Sequence, residues 1–132
     1  MEDQVEQQKA VARVKFLRNE QGRLVTKIGE LETEMSEHRV VIDAMKKVEP
    51  SRKCFRLVGG VLVERTAGEV LPAIEETRAN IEKAINELQA QLEEKAKEMD
   101  ELMSKYKIKF MTQEEAAAMA QDPRRGSQGV LV

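Results

Sequence analysis

The sequence predicts a mainly α-helical fold, in which two long helices pair antiparallel as an intrachain coiled coil and a β-hairpin forms the turn between them. Apolar residues recur at alternating spacings of three and four over two stretches of similar length. The segment between them, CFRLVGGVLVER, is rich in β-branched residues and centred on two glycines. Aromatic residues make up 3% of the chain and charged residues 35%. That composition suits a narrow apolar contact line between helices, the seam, better than a thick globular core.

The first helix is predicted over residues 4–48. Gly22 and Gly29 weaken it by about 1 kcal/mol each relative to alanine. Pro50 ends it, because the residue before a proline is disfavoured in helical geometry. The seam residues of this helix are Ala10, Val14, Leu17, Leu24, Ile28, Leu31, Met35, Ile42 and Met45.

The β-hairpin is predicted over residues 53–65, with Gly59 and Gly60 as a two-residue turn. This turn pairs Leu57 with Leu62 and places apolar side chains on both faces of the ribbon. A two-stranded hairpin is at best marginally stable alone in water, so two apolar faces favour strands from partner chains. The alternative is that one face packs on the ends of its own helices. The candidate oligomerisation residues are Cys54, Phe55, Leu57, Val58, Val61, Leu62 and Val63.

The second helix is predicted over residues 69–112. Pro72 is tolerable only in a first helical turn, which predicts a start at residue 69 or 70. Residues 113–132 show no apolar period and contain Asp-Pro-Arg-Arg-Gly-Ser, so they are expected to form a flexible tail. The seam residues of this helix are Leu71, Ile74, Ile81, Ile85, Leu88, Leu92, Met99, Leu102 and Tyr106.

One antiparallel register matches the two seams. It places Met45 opposite Leu71, and each later pair of residue numbers then has the same sum, as for Ile28 and Leu88. The polar interruptions also face one another, which avoids leaving a polar group against a buried leucine. These polar pairs are His38 with Arg78, Gln21 with Lys95 and Gln7 with Lys109.

Apolar residues outside the seam gather where the two helices have their free ends. Exposed apolar side chains there, several of them methionines, would suit loose binding of non-native chains. The alternative is that these residues extend the apolar contact between the helix ends, and the pattern alone favours neither. They are Val11, Phe16, Met103, Ile108, Phe110 and Met111.

Charge and composition argue against several functions. The net charge is −2, with both signs interspersed along the helices, so neither nucleic acid nor an anionic membrane is an expected partner. No apolar run is long enough to span a bilayer. Cys54 and His38 are the single cysteine and histidine, so we expect no disulfide, metal, cofactor or catalytic site. The lone cysteine suits a reducing compartment, which predicts a cytoplasmic protein with the nucleus left open.

Two adjoining segments resemble a known family. The residues 37–50, EHRVVIDAMKKVEP, and 52–72, RKCFRLVGGVLVERTAGEVLP, are similar to β-type subunits of the eukaryotic prefoldin chaperones. The resemblance extends over residues 5–112. It implies one prefoldin domain over residues 1–112, whose hairpin contributes to the oligomeric β-barrel of a hetero-hexamer.

The same resemblance implies a function. Prefoldins bind unfolded actin and tubulin at the ends of their coiled coils and transfer them to the cytosolic chaperonin without ATP. The partners implied are therefore α- and β-type prefoldin subunits, the chaperonin and these unfolded proteins. A structural or tethering coiled coil, whose ends dock specific partners, is the alternative function.

Overall fold

The computed structural model describes residues 2–109 of the chain. They form helix α1 (Glu2–Lys46), strand β1 (Lys53–Val58), strand β2 (Val61–Thr66) and helix α2 (Ala67–Tyr106). This architecture confirms the predicted fold class. The chain divides into two compact units. Among the described residues, the terminal unit comprises residues 2–18 and 97–109, and the hairpin unit comprises Asn19–Ala96.

The hairpin unit has an apolar core between its helical segments. Ile28, Ile81 and Ile85 are buried, each at most 8% exposed. Leu31, Met35, Leu88 and Leu92 pack against them as partly buried neighbours. These are side chains that the predicted register places together, so the apolar period of each helix was sufficient to identify this core.

His38 and Arg78, one of the three polar pairs predicted to face one another, make bonds along their own helices. The Nδ1 atom of His38 lies 2.7 Å from the backbone oxygen of Glu34. Arg78 forms an ion pair with Glu82 one turn later, at 3.3 Å. The two residues are therefore satisfied locally, because partners four residues apart lie on the same helix face.

The hairpin has the predicted turn and register. Gly59 and Gly60 both have positive φ, of 56° and 81°, as a mirror-image two-residue turn requires. Leu57 pairs with Leu62 and Phe55 with Glu64. Because the turn fixes which residues are opposite, it also fixes which side chains share a face.

Helix α2 begins at Ala67, so the predicted start at residue 69 or 70 was wrong. The backbone N–H of Ala67 donates to the oxygen of Arg52, and that of Gly68 donates to the oxygen of Pro50, both at 2.9 Å. These carbonyls satisfy two of the N–H groups that a helix start leaves without partners. The helix can therefore begin before the position suggested by Pro72, which lies inside it.

Helix α2 ends at Tyr106, so the predicted end at residue 112 was also wrong. Lys107 adopts the left-handed conformation with φ of 53°, and the N–H of Ile108 donates to the oxygen of Met103 at 2.9 Å. This is the six-to-one bond of a Schellman motif, which closes a helix C-terminus. The predicted tail, residues 113–132, lies outside the described residues.

Candidate functional site

The hairpin presents two faces of different composition. The leucine face consists of Lys53, Phe55, Leu57, Leu62, Glu64 and Thr66, and the valine face of Cys54, Arg56, Val58, Val61, Val63 and Arg65. The division follows from the alternation of side chains along paired strands. Both faces carry the apolar residues that were predicted for oligomerisation.

The leucine face is open to solvent. Phe55 and Leu62 are each 64% exposed, and Leu57 is 71% exposed. Its charged residues, Lys53 and Glu64, form an ion pair at 3.4 Å across the strands. Large apolar side chains with this exposure, side by side on one surface, are typical of a surface that a partner covers.

The valine face is partly covered by the start of α2. A groove of about 330 Å³ is lined by Arg56, Val58, Val63 and Arg65 from the hairpin and by Glu69, Val70 and Ala73 from the helix. Val70 is buried, whereas Val58 is 55% and Val61 63% exposed. The alternative, in which the hairpin packs on the protein's own helix, therefore holds for part of the valine face. The part of this face next to the Gly59-Gly60 turn stays open to solvent.

Cys54 lies on this face and is partly buried. Its Sγ atom contacts the backbone oxygen of Arg52 at 3.8 Å. The thiol thus packs at the base of the hairpin, and it belongs to the same face as the open valines.

The described part of the terminal unit contains a buried apolar cluster. Val14 and Leu17 are fully buried, and Ala10, Met99 and Ile108 complete the core cluster. Ile108 is only 7% exposed, so its interpretation as an exposed residue outside the seam was wrong. The Schellman turn directs Ile108 back onto the cluster, because a helix that stops at Tyr106 changes the side-chain directions that follow.

The other predicted client-binding residues fall into three groups. Phe16 is 50% exposed, as expected. Val11 and Met103 are partly buried against the core cluster, which is the packing alternative that the sequence left open. Phe110 and Met111 lie outside the described residues. Phe16 is therefore the one member of the set that the described structure leaves widely accessible.

Two features near Phe16 were missed from the sequence. Arg13 forms a two-contact ion pair with Glu98, at 2.9 and 3.2 Å, and its guanidinium lies 5.3 Å from the centre of the Phe16 ring. The hydrogen bond with Glu98 raises the pKa of Arg13 above its ordinary value. The three-residue spacing of Arg13 and Phe16 on a helix could have indicated the stacking.

Val5 is a further exposed apolar residue, and it was not among the residues predicted at the helix ends. It is 51% exposed on α1 in the terminal unit. The hairpin unit exposes Val25, Val40 and Val41 on the same helix, at 57%, 68% and 44%. Single exposed valines are common on protein surfaces, so the hairpin remains the dense apolar surface.

Within residues 2–109, no group of three histidine, cysteine, aspartate or glutamate side chains could hold a metal ion. Neither described helix is long and apolar enough to cross a membrane.

Comparison with known proteins identifies the family. The family described as "Prefoldin subunit" matches residues 8–113. Prefoldin subunit 2 of Homo sapiens is 44% identical over 133 residues, covering 97% of this chain and 86% of the relative. Prefoldin subunit 2 of Arabidopsis thaliana is 42% identical over 115 residues, covering 87% and 78%.

A solved structure shows the same fold. The crystal structure of the prefoldin beta subunit from Thermococcus strain KS-1 matches with a TM-score of 0.71 at 16% identity, covering 76% of this chain and 89% of that one. The predicted resemblance is thereby confirmed. The chain belongs to the prefoldin subunit family, whose members are chaperone subunits.

Proposed function

We propose that this chain is a β-type subunit of a hetero-hexameric prefoldin that binds unfolded polypeptides without ATP. Its family supports assembly with other prefoldin subunits. Unfolded actin and tubulin are the proposed clients, and the cytosolic chaperonin is the proposed recipient. The corresponding location is the cytoplasm.

The open hairpin is the observation that carries this proposal. Its two six-residue strands expose five large apolar side chains, each at least 55% accessible. Full burial of such a side chain contributes roughly 1.5–3 kcal/mol, so covering several together can drive association. Assembly through the hairpin would bring the terminal units of several subunits into one complex.

Client binding is proposed for the terminal unit. Phe16 and Val5 offer accessible apolar surface there, and Phe110 and Met111 are proposed to add to it. One such surface binds weakly, but several tethered in one oligomer raise the effective concentration and hold a large client. Weak individual contacts also allow stepwise release, which a transfer to the chaperonin needs.

The experiment compares Phe16→Ser with Val25→Ser in reconstituted hexamers. Both residues are about half exposed on α1, but Val25 belongs to the hairpin unit. We expect normal assembly of both variants by size-exclusion chromatography. Only Phe16→Ser should weaken suppression of the aggregation of denatured actin.

Redundancy among subunits is removed by trimming the terminal segments of the other five. If Phe16→Ser then protects denatured actin as well as the unmodified subunit does, the client-binding role of this surface is rejected. A tethering coiled coil would instead show a defined partner and no preference for denatured over native actin. Transfer is measured by the appearance of chaperonin-bound actin in the same preparation.

A further inference from the structure

The hairpin is strongly basic although the whole chain is slightly acidic. Residues 52–66 contain four basic side chains, Arg52, Lys53, Arg56 and Arg65, and one acidic side chain, Glu64. This gives the segment a net charge of +3, against −2 for the chain. All five side chains belong to exposed residues. The apolar surface of the hairpin therefore carries a positive field that influences which partner can cover it.

The single acid does not neutralise the arginines of the valine face. Glu64 lies on the leucine face and pairs with Lys53 at 3.4 Å. Arg65 donates a hydrogen bond to the backbone oxygen of Glu64 at 3.0 Å, and this neutral acceptor brings no negative charge. Among the ion pairs within residues 2–109, none includes Arg56 or Arg65.

The two arginines lie close together beside the open valines. Arg56 is opposite Val63 and Arg65 is opposite Cys54, so the arginines are diagonal neighbours on one face. Side chains on such a diagonal lie within reach of each other, and like charges there repel. Both line the groove at the start of α2 together with Glu69, which forms an ion pair with neither. Two carboxylates from outside, one for each arginine, would compensate both charges.

We propose that the valine face selects a neighbouring prefoldin subunit that places aspartate or glutamate against Arg56 and Arg65, and that it rejects a second copy of this chain. This proposal rests on the proposed function, since it assumes assembly through the hairpin. Arginine pairs with carboxylates through two parallel hydrogen bonds, which provides geometric specificity as well as charge. Two copies of this chain would instead bring together two segments of charge +3, and this repulsion acts against a wrong partner.

The test replaces both arginines with acids. Each of the other prefoldin subunits is purified separately and mixed with wild type or with the double variant Arg56→Glu, Arg65→Glu. We expect at least a tenfold loss of affinity for the neighbour that wild type binds, with helicity by circular dichroism unchanged. The double variant should also associate with wild-type copies of this chain, because their charges are now opposite.

The matched control is Arg23→Glu with Lys83→Glu. It changes the net charge by the same amount, at exposed helical positions outside the hairpin. We expect it to bind the neighbour as wild type does. Equal losses for the two double variants would overturn the proposal, because overall charge would then explain the result. Replacing the facing acids of the neighbour with arginine should restore binding to the Arg56→Glu, Arg65→Glu chain.

Salt provides an independent readout. Binding of the neighbour should weaken as the salt concentration rises, whereas self-association of wild type should be absent at low salt and increase as repulsion is screened. A stable wild-type homo-oligomer at low salt would overturn the proposal. So would binding of a fluorescent RNA oligonucleotide to wild type but not to the double variant, since the face would then recognise a polyanion.

A failure of charge selection can be distinguished from a failure of the proposed assembly through the hairpin. The double variant Val61→Lys, Val63→Lys tests whether the hairpin is used for assembly at all. If that variant is excluded from the hexamer while Arg56→Glu, Arg65→Glu enters normally, only charge selection is rejected. If both enter normally, assembly through the hairpin is rejected as well.

Discussion

Similar apolar residues are exposed to solvent on the hairpin and buried in the terminal unit. On the hairpin, Leu57 is 71% and Phe55 64% exposed, whereas Leu17 and Val14 in the terminal unit are fully buried. The difference lies in what each region can place against its apolar side chains. Two helices can bury apolar side chains between them. A two-stranded ribbon is a single layer, so its faces stay open to solvent unless another element packs on them. Accessibility, rather than hydrophobicity alone, therefore locates the surfaces available to partners.

The same contrast separates two residues that the sequence had grouped together. Ile108 and Phe16 both lie outside the predicted seam near the helix ends. Ile108 packs on the core cluster, and Phe16 stays half exposed beside Arg13. A structural role for Ile108 and a surface role for Phe16 follow from these positions.

The largest expected effect comes from charging the open hairpin. Val61→Lys with Val63→Lys should abolish incorporation into the hexamer, because ammonium groups buried between strands would lack partners. Isolated helicity should be retained, since neither valine belongs to a helical core cluster. Co-expression with the other subunits followed by size-exclusion chromatography measures incorporation.

Val25→Lys is the control for that experiment, because Val25 is about as exposed as Val61 but lies on α1. It should enter the hexamer normally. Normal entry of the double-lysine variant would show that the hairpin is not an assembly surface. The exposure of its apolar residues would then not indicate where partner subunits bind.

The next largest effect is the difference in stability between changes at the buried Ile108 and at the exposed Phe16. Ile108→Ala should cost about 2–5 kcal/mol of local stability, as truncation of a buried isoleucine usually does. Phe16→Ala should change stability by no more than about 0.5 kcal/mol, as expected of a surface position. Hydrogen exchange measures both, with protection expected to fall over residues 99–106 for Ile108→Ala only.

Exchange over residues 81–88 in the hairpin unit serves as the internal control and should not change. Equal destabilisation by Phe16→Ala would mean that its ring contributes to the core. The result also guides functional work, because a variant combining changes at Phe16 and Ile108 would mix lost packing with the loss of the proposed client contacts.

The sequence was sufficient for the fold wherever a local rule decided the geometry. The Gly59-Gly60 turn fixed the strand register, and the apolar period identified Ile28, Ile81 and Ile85 as core. In both places the residues that determine the structure are close in sequence or follow one helical period.

The errors occurred at the two ends of α2, where no sequence signal marks the contact or the backbone conformation that decides the boundary. The start of α2 depends on the carbonyls of Arg52 and Pro50, which no helix-start signal near Pro72 reveals. The end of α2 depends on a left-handed Lys107, a conformation that glycine normally signals and lysine does not. The burial of Ile108 followed from that turn, so this part of the candidate site could not be assigned from spacing alone.

A smaller effect distinguishes two glycines of the hairpin unit. A Cβ atom on Gly68 would lie 3.2 Å from Cβ and 3.3 Å from the oxygen of Pro50, whereas one on Gly29 would meet nothing within 4 Å. Gly29→Ala should therefore raise stability by about 0.5–1 kcal/mol through helix propensity. Gly68→Ala should lose that gain and lower stability by roughly 1 kcal/mol, because overpacking shifts the contact that starts α2.

Chemical denaturation measures both glycine variants against wild type. Stabilisation by Gly68→Ala equal to that by Gly29→Ala would show that Pro50 moves aside at no cost. The junction between β2 and α2 would then be less constrained than its hydrogen bonds to Arg52 and Pro50 indicate.

The smallest effect concerns the exposed ion pair beside Phe16. Arg13→Gln should lower the melting temperature slightly in low salt, and the difference should vanish in high salt, because exposed pairs are screened. The pKa of Arg13 is raised in the folded state, so its contribution is complete below the unfolded pKa and is lost only as pH rises through the folded pKa. That window lies at strongly alkaline pH, and Arg13 should add no pH dependence to stability near neutrality.

A melting difference that persisted in high salt would mean that Arg13 stabilises through its packing on Phe16 rather than through Glu98. The exposed Phe16 ring would then contribute to the stability of the terminal unit, in addition to its proposed role in client binding.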